Sequence, residues 1–228
     1  MSKTKSEKDL LYLNDYIEDS NDIWLVFYKG GKSLSTLTFK IKGEFLNNER
    51  IYKINKGKFL NQIFQNINLL KDLIRRLLNF IQFISSNKIV HSDIKPDNIL
   101  IDYEVNSVSI NSDNNTKNTK HINEFVIRDL KVIDFGSAFF IKNPENFKSN
   151  TPEYTCPEIC DLIERNTGNK EFATFLNTLN PWVIDMWSLG ITILELLLLC
   201  PLWINYKCKI EKNGKVTYNL IHIIFTYN

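Results

Sequence analysis

The sequence predicts an α+β fold, because runs typical of strands and runs typical of helices both occur in it. Residues 22–28 (DIWLVFY) are a short apolar run that ends at two glycines, which is typical of a buried strand. Residues 68–86 carry apolar side chains at helical spacing and polar side chains on the other face. This pattern predicts an amphipathic helix packed on a core. Two further short strands are predicted at 98–102 and 130–133.

The composition excludes several classes of protein. The chain has 228 residues, of which 43% are hydrophobic and 24% are charged, the balance of a globular protein. A net charge of +2 gives no field strong enough to indicate a nucleic-acid partner or a membrane surface. The first residues, MSKTKSEKDL, lack the apolar core of a signal peptide, so we expect an intracellular, cytoplasmic protein.

A second long helix is predicted in the apolar segment that follows Asn180. Asn180 can cap this helix, and Pro181 suits its first turn because its missing N–H is not needed there. The segment is apolar nearly all round as far as Leu199, which predicts burial at the centre of the domain. Asp185 and Glu195 interrupt the apolar run, so no uncharged stretch reaches the ~18 residues of a membrane span. We therefore predict no membrane span.

Two regions give little sign of regular structure. Residues 32–66 are mixed in character. Residues 104–125 (EVNSVSINSDNNTKNTKHINEF) are polar, rich in asparagine and without periodicity. We expect this stretch to be a mobile polar insertion at the surface, between the two strands that flank it.

Four motifs occur in a fixed order in the second half of the chain. They are IVHSDIKPDNILI (89–101), LKVIDFGSA (130–138), NTPEYTCPEI (150–159) and DMWSLG (185–190). Each motif alone is weak, and the first could be an ordinary polar loop between two strands. Together, each in its expected strand, loop or helix, they resemble the eukaryotic protein kinase family of the serine/threonine type. The resemblance extends from about residue 22 to about residue 205.

The resemblance implies a protein-kinase-like fold with an incomplete catalytic domain. Residues 1–31 would be a remnant of the small-lobe sheet and the hinge. Residues 32–228 would be the mostly helical large lobe, incomplete at its end. The cofactors implied are ATP and Mg²⁺, and the partners implied are protein substrates.

The family pattern also implies roles for the motif residues. Asp93 corresponds to the catalytic base, and Lys95 would offset negative charge on the transferred phosphoryl group. Asn98 and Asp134 would supply hard oxygen ligands to Mg²⁺. Gly136 would give the backbone freedom after Asp134. The alternative for these residues is a solvated turn, with Asp134 as a helix cap.

Supporting residues are implied in the same way. His91 would brace the catalytic loop, and Asp185 would hydrogen-bond the backbone of that loop. The alternative for Asp185 is a carboxylate favoured by the dipole at a helix N-terminus. Thr151 would contact Asp93 and Lys95, which favours serine or threonine as the phosphate acceptor. Glu158 would pair with an arginine of the last large-lobe helices, and we expect that arginine to be absent from residues 1–228. The remaining positions concern the nucleotide: Phe27 would lie at the back of its pocket, and Tyr28 and Lys29 would belong to the hinge.

The sequence departs from the family pattern in two places. Ser92 replaces the arginine that normally receives an activation-loop phosphate, and a serine hydroxyl cannot form those charge-assisted bonds. No three of the eight glycines form the glycine-rich loop that covers ATP. We therefore expect slow phosphate transfer by residues 1–228 alone. A non-catalytic scaffold or pseudokinase remains the alternative function.

Overall fold

The computed structural model describes residues 13–46, 49–111, 119–143, 151–165, 174–176, 180–202, 207–212 and 215–220. In these ranges the helices are α1 (Leu34–Thr38), α2 (Lys58–Gln65), α3 (Ile67–Ser86), α4 (Pro157–Glu164) and α5 (Val183–Leu198). The strands are β1 (Leu13–Glu18), β2 (Ile23–Phe27), β3 (Lys32–Ser33), β4 (Phe39–Leu46), β5 (Glu49–Lys56), β6 (Ile89–Val90), β7 (Ile99–Asn111), β8 (Thr119–Val132), β9 (Phe139–Phe140), β10 (Lys207–Lys212) and β11 (Lys215–Leu220). The fold is therefore α+β, as predicted.

Helix α3 is the centre of the main hydrophobic core. The side chain of Asn66 caps its N-terminus by accepting the backbone N–H groups of Asn68 and Leu69. The apolar face is buried against α1, α2, α5 and the sheet, and Leu73 and Phe80 are fully covered. The helix predicted at 68–86 is confirmed.

β3, β7 and β8 form a three-stranded antiparallel sheet in the order β3-β7-β8. β3 lies directly before α1, and β7 begins directly after the loop that contains Asp93. Gly31 lies just before β3 with φ +114°, and a Cβ there would meet the carbonyl oxygen of Ile101 at 2.2 Å. Only glycine allows the chain to pass β7 this closely.

The expected mobile insertion at 104–125 is wrong for the residues that the structure describes there. β7 and β8 continue far beyond the predicted short strands, and their pairing extends to Asn111 opposite Thr119. Tyr103 pairs with Ile127 and Val105 with Phe125, so two apolar pairs lie on one face of this part of the hairpin. The high asparagine and serine content obscured this strand pattern. Residues 112–118 lie outside the described residues.

The strand predicted at 22–28 is present as β2, but its predicted burial is wrong. β2 pairs with β1 in a two-stranded antiparallel sheet, and every residue of both strands is exposed. Trp24 is 61% exposed and Phe27 is 44% exposed. An apolar sequence alone could not show that no layer from the described part of the chain covers the faces of this small sheet.

Helix α5 is also buried differently from the prediction. Its buried face includes four polar side chains, Asp185, Ser188, Thr192 and Glu195, whereas Met186, Leu194, Leu197 and Leu198 are exposed. Burial of these side chains is compensated because each has a hydrogen-bond partner; the Thr192 hydroxyl, for example, donates to the Ser188 carbonyl at 3.0 Å. No helix in the described parts of the chain combines the length and the apolar character that a membrane span needs.

Candidate active site

Asp93 lies at the centre of a compact group of hydrogen-bonded side chains. Its Oδ2 accepts Lys95 Nζ at 2.7 Å and Asn98 Nδ2 at 3.1 Å. Its Oδ1 accepts the hydroxyl of Thr151 at 2.7 Å. Lys95 Nζ also donates to Thr151 Oγ1 at 2.7 Å. The structure therefore brings three predicted site residues, Lys95, Asn98 and Thr151, to the carboxylate of Asp93, a residue that is 5% exposed.

The loop that carries Asp93 is held by Asp185, which is completely buried at the start of α5. Asp185 Oδ2 accepts the N–H of His91 at 2.9 Å, and Oδ1 accepts the N–H of Ser92 at 2.8 Å. Burial raises the pKa of Asp185 to about 6, while the two backbone hydrogen bonds oppose that rise. The carboxylate thus connects α5 directly to the two residues before Asp93.

His91 connects the same loop to the segment that ends at Asp134. The Asp93 N–H donates to His91 Nδ1 at 3.3 Å, so the ring proton belongs on Nε2. From there it is donated to the carbonyl oxygen of Ile133 at 3.0 Å. Burial lowers the pKa of His91, which favours this neutral form. The ring also packs against Phe135 with the centroids 4.8 Å apart.

Asn98 and Asp134 are the candidate metal ligands. The amide nitrogen of Asn98 donates to Asp93, which directs the amide oxygen to the opposite side of the group. The backbone carbonyl of Asn98 accepts the N–H of Ile133 at 2.9 Å, next to Asp134 in the chain. Asp134 is exposed, has φ +66°, and accepts the Gly136 N–H at 3.3 Å. One carboxylate and one amide oxygen on tied segments are ligands of the type that Mg²⁺ prefers.

Ser92 makes a contact that the motif alone did not predict. Its φ is +61°, and its hydroxyl donates to the carbonyl oxygen of Ser137 at 2.6 Å in a buried position. The residue at the position of the family arginine therefore ties the loop that carries Asp93 to the backbone just after Gly136.

A second group of buried polar residues fixes the segment that contains Thr151. The hydroxyl of Tyr154 donates to Glu195 Oε2 at 2.9 Å, and the hydroxyl of Ser188 donates to the Tyr154 carbonyl at 2.7 Å. Glu195 Oε1 accepts the N–H of Leu202 at 2.9 Å. Burial raises the pKa of both Glu195 and Tyr154.

Sequence reasoning missed this anchoring role of Tyr154, Ser188 and Glu195. A signal was available in α5, because Asp185, Ser188, Thr192 and Glu195 recur at intervals of three and four residues. This spacing places four polar side chains on one face of a helix that is otherwise apolar.

The other predicted site residues are at the surface. Tyr28 is 69% exposed and Lys29 is exposed, just beyond the half-exposed Phe27 at the end of β2. Their roles toward a nucleotide stay predictions. Glu158 is exposed in the first turn of α4.

Comparison with known proteins identifies the family. The family model described as "Protein kinase domain" matches residues 2–226. The chain belongs to the protein kinase family. Its α+β fold, with the four motifs in the order described, is a protein-kinase-like fold.

Individual relatives are distant and longer than this chain. An Arabidopsis thaliana protein described as "Probable inactive protein kinase" is 29% identical over 83% of this chain and 52% of its own length. Serine/threonine-protein kinase 17A of Oryctolagus cuniculus is 29% identical over 52% of this chain and 22% of its own length. Serine/threonine-protein kinase AFC1 of Arabidopsis thaliana is 25% identical over 81% of this chain and 33% of its own length.

A crystal structure of a kinase domain was also matched, with a TM-score of 0.48 and 19% identity over 85% of this chain and 48% of that chain. The chain thus spans about half the length, or less, of the relatives that it matches.

Proposed function

We propose that this chain acts as a serine/threonine protein kinase, which transfers the γ-phosphoryl group of ATP to a hydroxyl of a protein substrate. The observation that carries this proposal is the hydrogen-bonded group of Asp93, Lys95, Asn98 and Thr151. Protein substrates and an intracellular location belong to the same proposal. Thr151 beside Asp93 and Lys95 is the feature that favours serine or threonine over tyrosine as the acceptor.

The proposed chemistry depends on position and charge. Asp93 orients the acceptor hydroxyl and accepts its proton. The hydrogen bond that its carboxylate accepts from the Thr151 hydroxyl supports this role, since a hydroxyl can reach the carboxylate there. Lys95 lies 2.7 Å from the same carboxylate and offsets the charge that develops on the transferred group. His91, Ser92 and Asp185 hold these two side chains in place.

The oxygens of Asn98 and Asp134 would hold Mg²⁺, which would neutralise phosphate charge when ATP is bound. The chain's own contribution to this site is orientation. The hydrogen bonds of Asn98 Nδ2 to Asp93 turn its amide oxygen outward, and the left-handed backbone of Asp134 places its carboxylate at the surface.

A non-catalytic scaffold is the second candidate function. The first relative described above is itself called inactive, and it matches 83% of this chain. Phe27 and Tyr28, which the family pattern assigns to the nucleotide pocket and hinge, are both exposed. A nucleotide pocket normally encloses most of its ligand with apolar side chains, so this exposure favours the scaffold.

The decisive experiment measures transfer from radiolabelled ATP to a generic serine/threonine protein substrate, with Mg²⁺, by the chain of residues 1–228. Asp93→Asn is the test variant. Asp97→Asn is the matched control, because Asp97 is an exposed carboxylate four residues away whose side chain bonds only to the Ser35 hydroxyl among the residues that the structure describes. We expect slow transfer that survives in the control and falls by about 10²–10⁴-fold in Asp93→Asn.

The outcomes separate the two candidates. Asp134→Asn should abolish Mg²⁺-dependent transfer, whereas Asp93→Asn should leave nucleotide affinity nearly unchanged. Equal transfer by the chain and by Asp93→Asn would overturn the proposed role of Asp93. Failure of the chain to bind nucleotide or to transfer phosphate would favour the scaffold.

A further inference from the structure

A cavity of ≈ 560 Å³ lies outside the catalytic group, between α1, the β4–β5 hairpin, the start of α2 and the β7–β8 hairpin. It is lined by Lys32, Thr36, Leu37, Lys40, Lys56, Gly57, Lys58, Phe59, Tyr103, Val105 and Phe125. None of the proposed catalytic or metal-binding residues belongs to this set. The volume is within the range of about 300–1,000 Å³ that is typical of small-ligand pockets.

Aromatic rings form one wall of the cavity. Tyr103 and Phe125 are stacked, with centroids 5.2 Å apart and an interplanar angle of 23°. Phe59 contacts both rings, at 5.6 Å and 6.0 Å. Phe59 is buried, but Tyr103 and Phe125 are only partly buried, so this wall offers apolar ring surface to a ligand. A flat, unsaturated group suits such a surface because rings prefer offset-stacked or edge contacts.

Four lysines surround this wall, and they come from four different elements. Lys32 is in β3, Lys40 in β4, Lys56 in β5, and Lys58 is the first residue of α2. Among the residues that the structure describes, no acidic side chain lines the cavity and none forms an ion pair with any of the four lysines. Four like charges without counter-charges produce a positive potential that favours an anion.

An acidic residue that neighbours the aromatic wall in β7 is neutralised by an ion pair. Glu104, between Tyr103 and Val105, forms an ion pair with Arg128 of β8. Because side chains alternate across a strand, Glu104 points away from the face that carries Tyr103 and Val105.

The backbone holds two of the lysines in place. The Gly57 N–H donates to the Thr38 carbonyl at 2.7 Å, and a Cβ on Gly57 would lie 2.1 Å from the Leu37 carbonyl oxygen. Gly57 therefore fixes Lys56 and Lys58, its two neighbours, against the end of α1.

We propose that this cavity binds an aryl phosphate, with the aromatic ring against Tyr103 and Phe125 and the phosphate among the four lysines. The ring of the ligand matches the aromatic wall, and its phosphate matches the positive charge of the four lysines. The same chemical group occurs in free aryl phosphates and in phosphotyrosine side chains of proteins. This site is independent of phosphate transfer, so Asp93→Asn should bind the ligand as the unmodified chain does.

The test is a calorimetric titration of residues 1–228 with N-acetyl phosphotyrosine amide. N-acetyl tyrosine amide supplies the ring without the phosphate, and inorganic phosphate supplies the charge without the ring. We expect one-to-one binding of the phosphotyrosine compound, at least about tenfold tighter than either half, and weaker at high salt.

Variants localise the binding. Lys40→Gln with Lys56→Gln should weaken it by about tenfold or more, since two charge contacts are lost. The matched control is Lys71→Gln with Lys142→Gln, which removes two charges from exposed lysines outside the cavity. Tyr103→Leu, checked for folding by circular dichroism, should weaken binding by about threefold to tenfold by removing a ring contact.

Each outcome bears on the proposal. A phosphotyrosine peptide that binds more tightly than the amide would indicate a protein-borne ligand, and equal affinities would indicate a free aryl phosphate. Absence of saturation, an equal loss in the control pair, or phosphate binding as tight as that of the phosphotyrosine amide would overturn the aryl phosphate site.

Discussion

The carboxylate of Asp185 accepts the backbone N–H of Ser92 at 2.8 Å, across 93 positions of sequence. Ser92 has φ +61°, in the left-handed region that non-glycine residues avoid at a cost of roughly 1–2 kcal/mol. The bond from Asp185, together with its bond to the His91 N–H, stabilises this conformation immediately before Asp93. The position of the proposed catalytic base therefore depends on a buried charge in α5.

The first prediction concerns the pH dependence that this buried carboxylate produces. Burial raises the pKa of Asp185 to about 6, whereas an unfolded aspartate titrates near about 3.9. The folded state thus binds the proton more tightly, so the stability contributed by protonation is full below about pH 3.9 and is lost as the pH rises through about 6. A difference of about two units between the folded and unfolded pKa values corresponds to about 3 kcal/mol of unfolding free energy.

Asp185→Asn should remove this contribution, because an amide does not ionise. We expect the unmodified chain to lose up to about 3 kcal/mol relative to Asp185→Asn between pH 4 and pH 7, measured by urea unfolding at each pH. His91 acts in the opposite direction, since burial lowers its pKa and its contribution is lost as the pH falls. His91 is present in both proteins, so a difference in stability that is constant from pH 4 to pH 7 would contradict the prediction for Asp185.

Much of the fold was predictable where periodicity and motif order are strong. Helix α3 follows a 3.6-residue apolar repeat, and the four motifs identify the family because their order and spacing are much more specific than any one of them. The positions of β7 and β8 were predictable only in part, since their pairing continues into an asparagine-rich stretch.

Burial was harder to predict than secondary structure, because it depends on which surfaces meet. The run IWLVF reads as a buried strand, yet β2 is exposed on both faces. In α5 a charged residue is buried: Glu195, which interrupts the apolar run, is 2% exposed and accepts the hydroxyl of Tyr154. The spacing of polar residues in α5 indicates a polar face, but Tyr154 is 41 residues away from Glu195, so the sequence does not identify it as the partner.

The second prediction tests the coupling between Tyr154 and Glu195. Tyr154→Phe keeps the ring but leaves Glu195 Oε2 without its hydroxyl donor, which should cost about 1–3 kcal/mol of unfolding free energy. In a double-mutant cycle with Glu195→Gln, the interaction energy should be roughly 0.5–3 kcal/mol. Urea unfolding of the four proteins provides the measurement. Additive effects would mean that the 2.9 Å contact does not couple the two residues.

The third prediction concerns the hydroxyl of Thr151, which both donates to Asp93 and accepts from Lys95. Thr151→Val preserves the shape but removes both bonds, so it should lower the unfolding free energy by about 1–3 kcal/mol. Thr151→Ser keeps the hydroxyl and should lower it less. If phosphate transfer is measurable, the valine variant should also be the slower of the two. Equal stability of the valine and serine variants would show that the hydroxyl contributes little.

The last prediction compares two glycines that differ in the space around them. A Cβ on Gly57 would lie 2.1 Å from the Leu37 carbonyl oxygen, whereas a Cβ on Gly190 would meet nothing within 4 Å. Gly57→Ala should therefore destabilise the protein by about 1–3 kcal/mol, because the backbone of α1 has to move. Gly190→Ala, in the interior of α5, should stabilise it by roughly 0.5–1 kcal/mol, since alanine loses less conformational entropy in a helix. Urea unfolding of both variants measures the difference, and a Gly57→Ala protein as stable as the unmodified chain would contradict the close approach of residues 37 and 57.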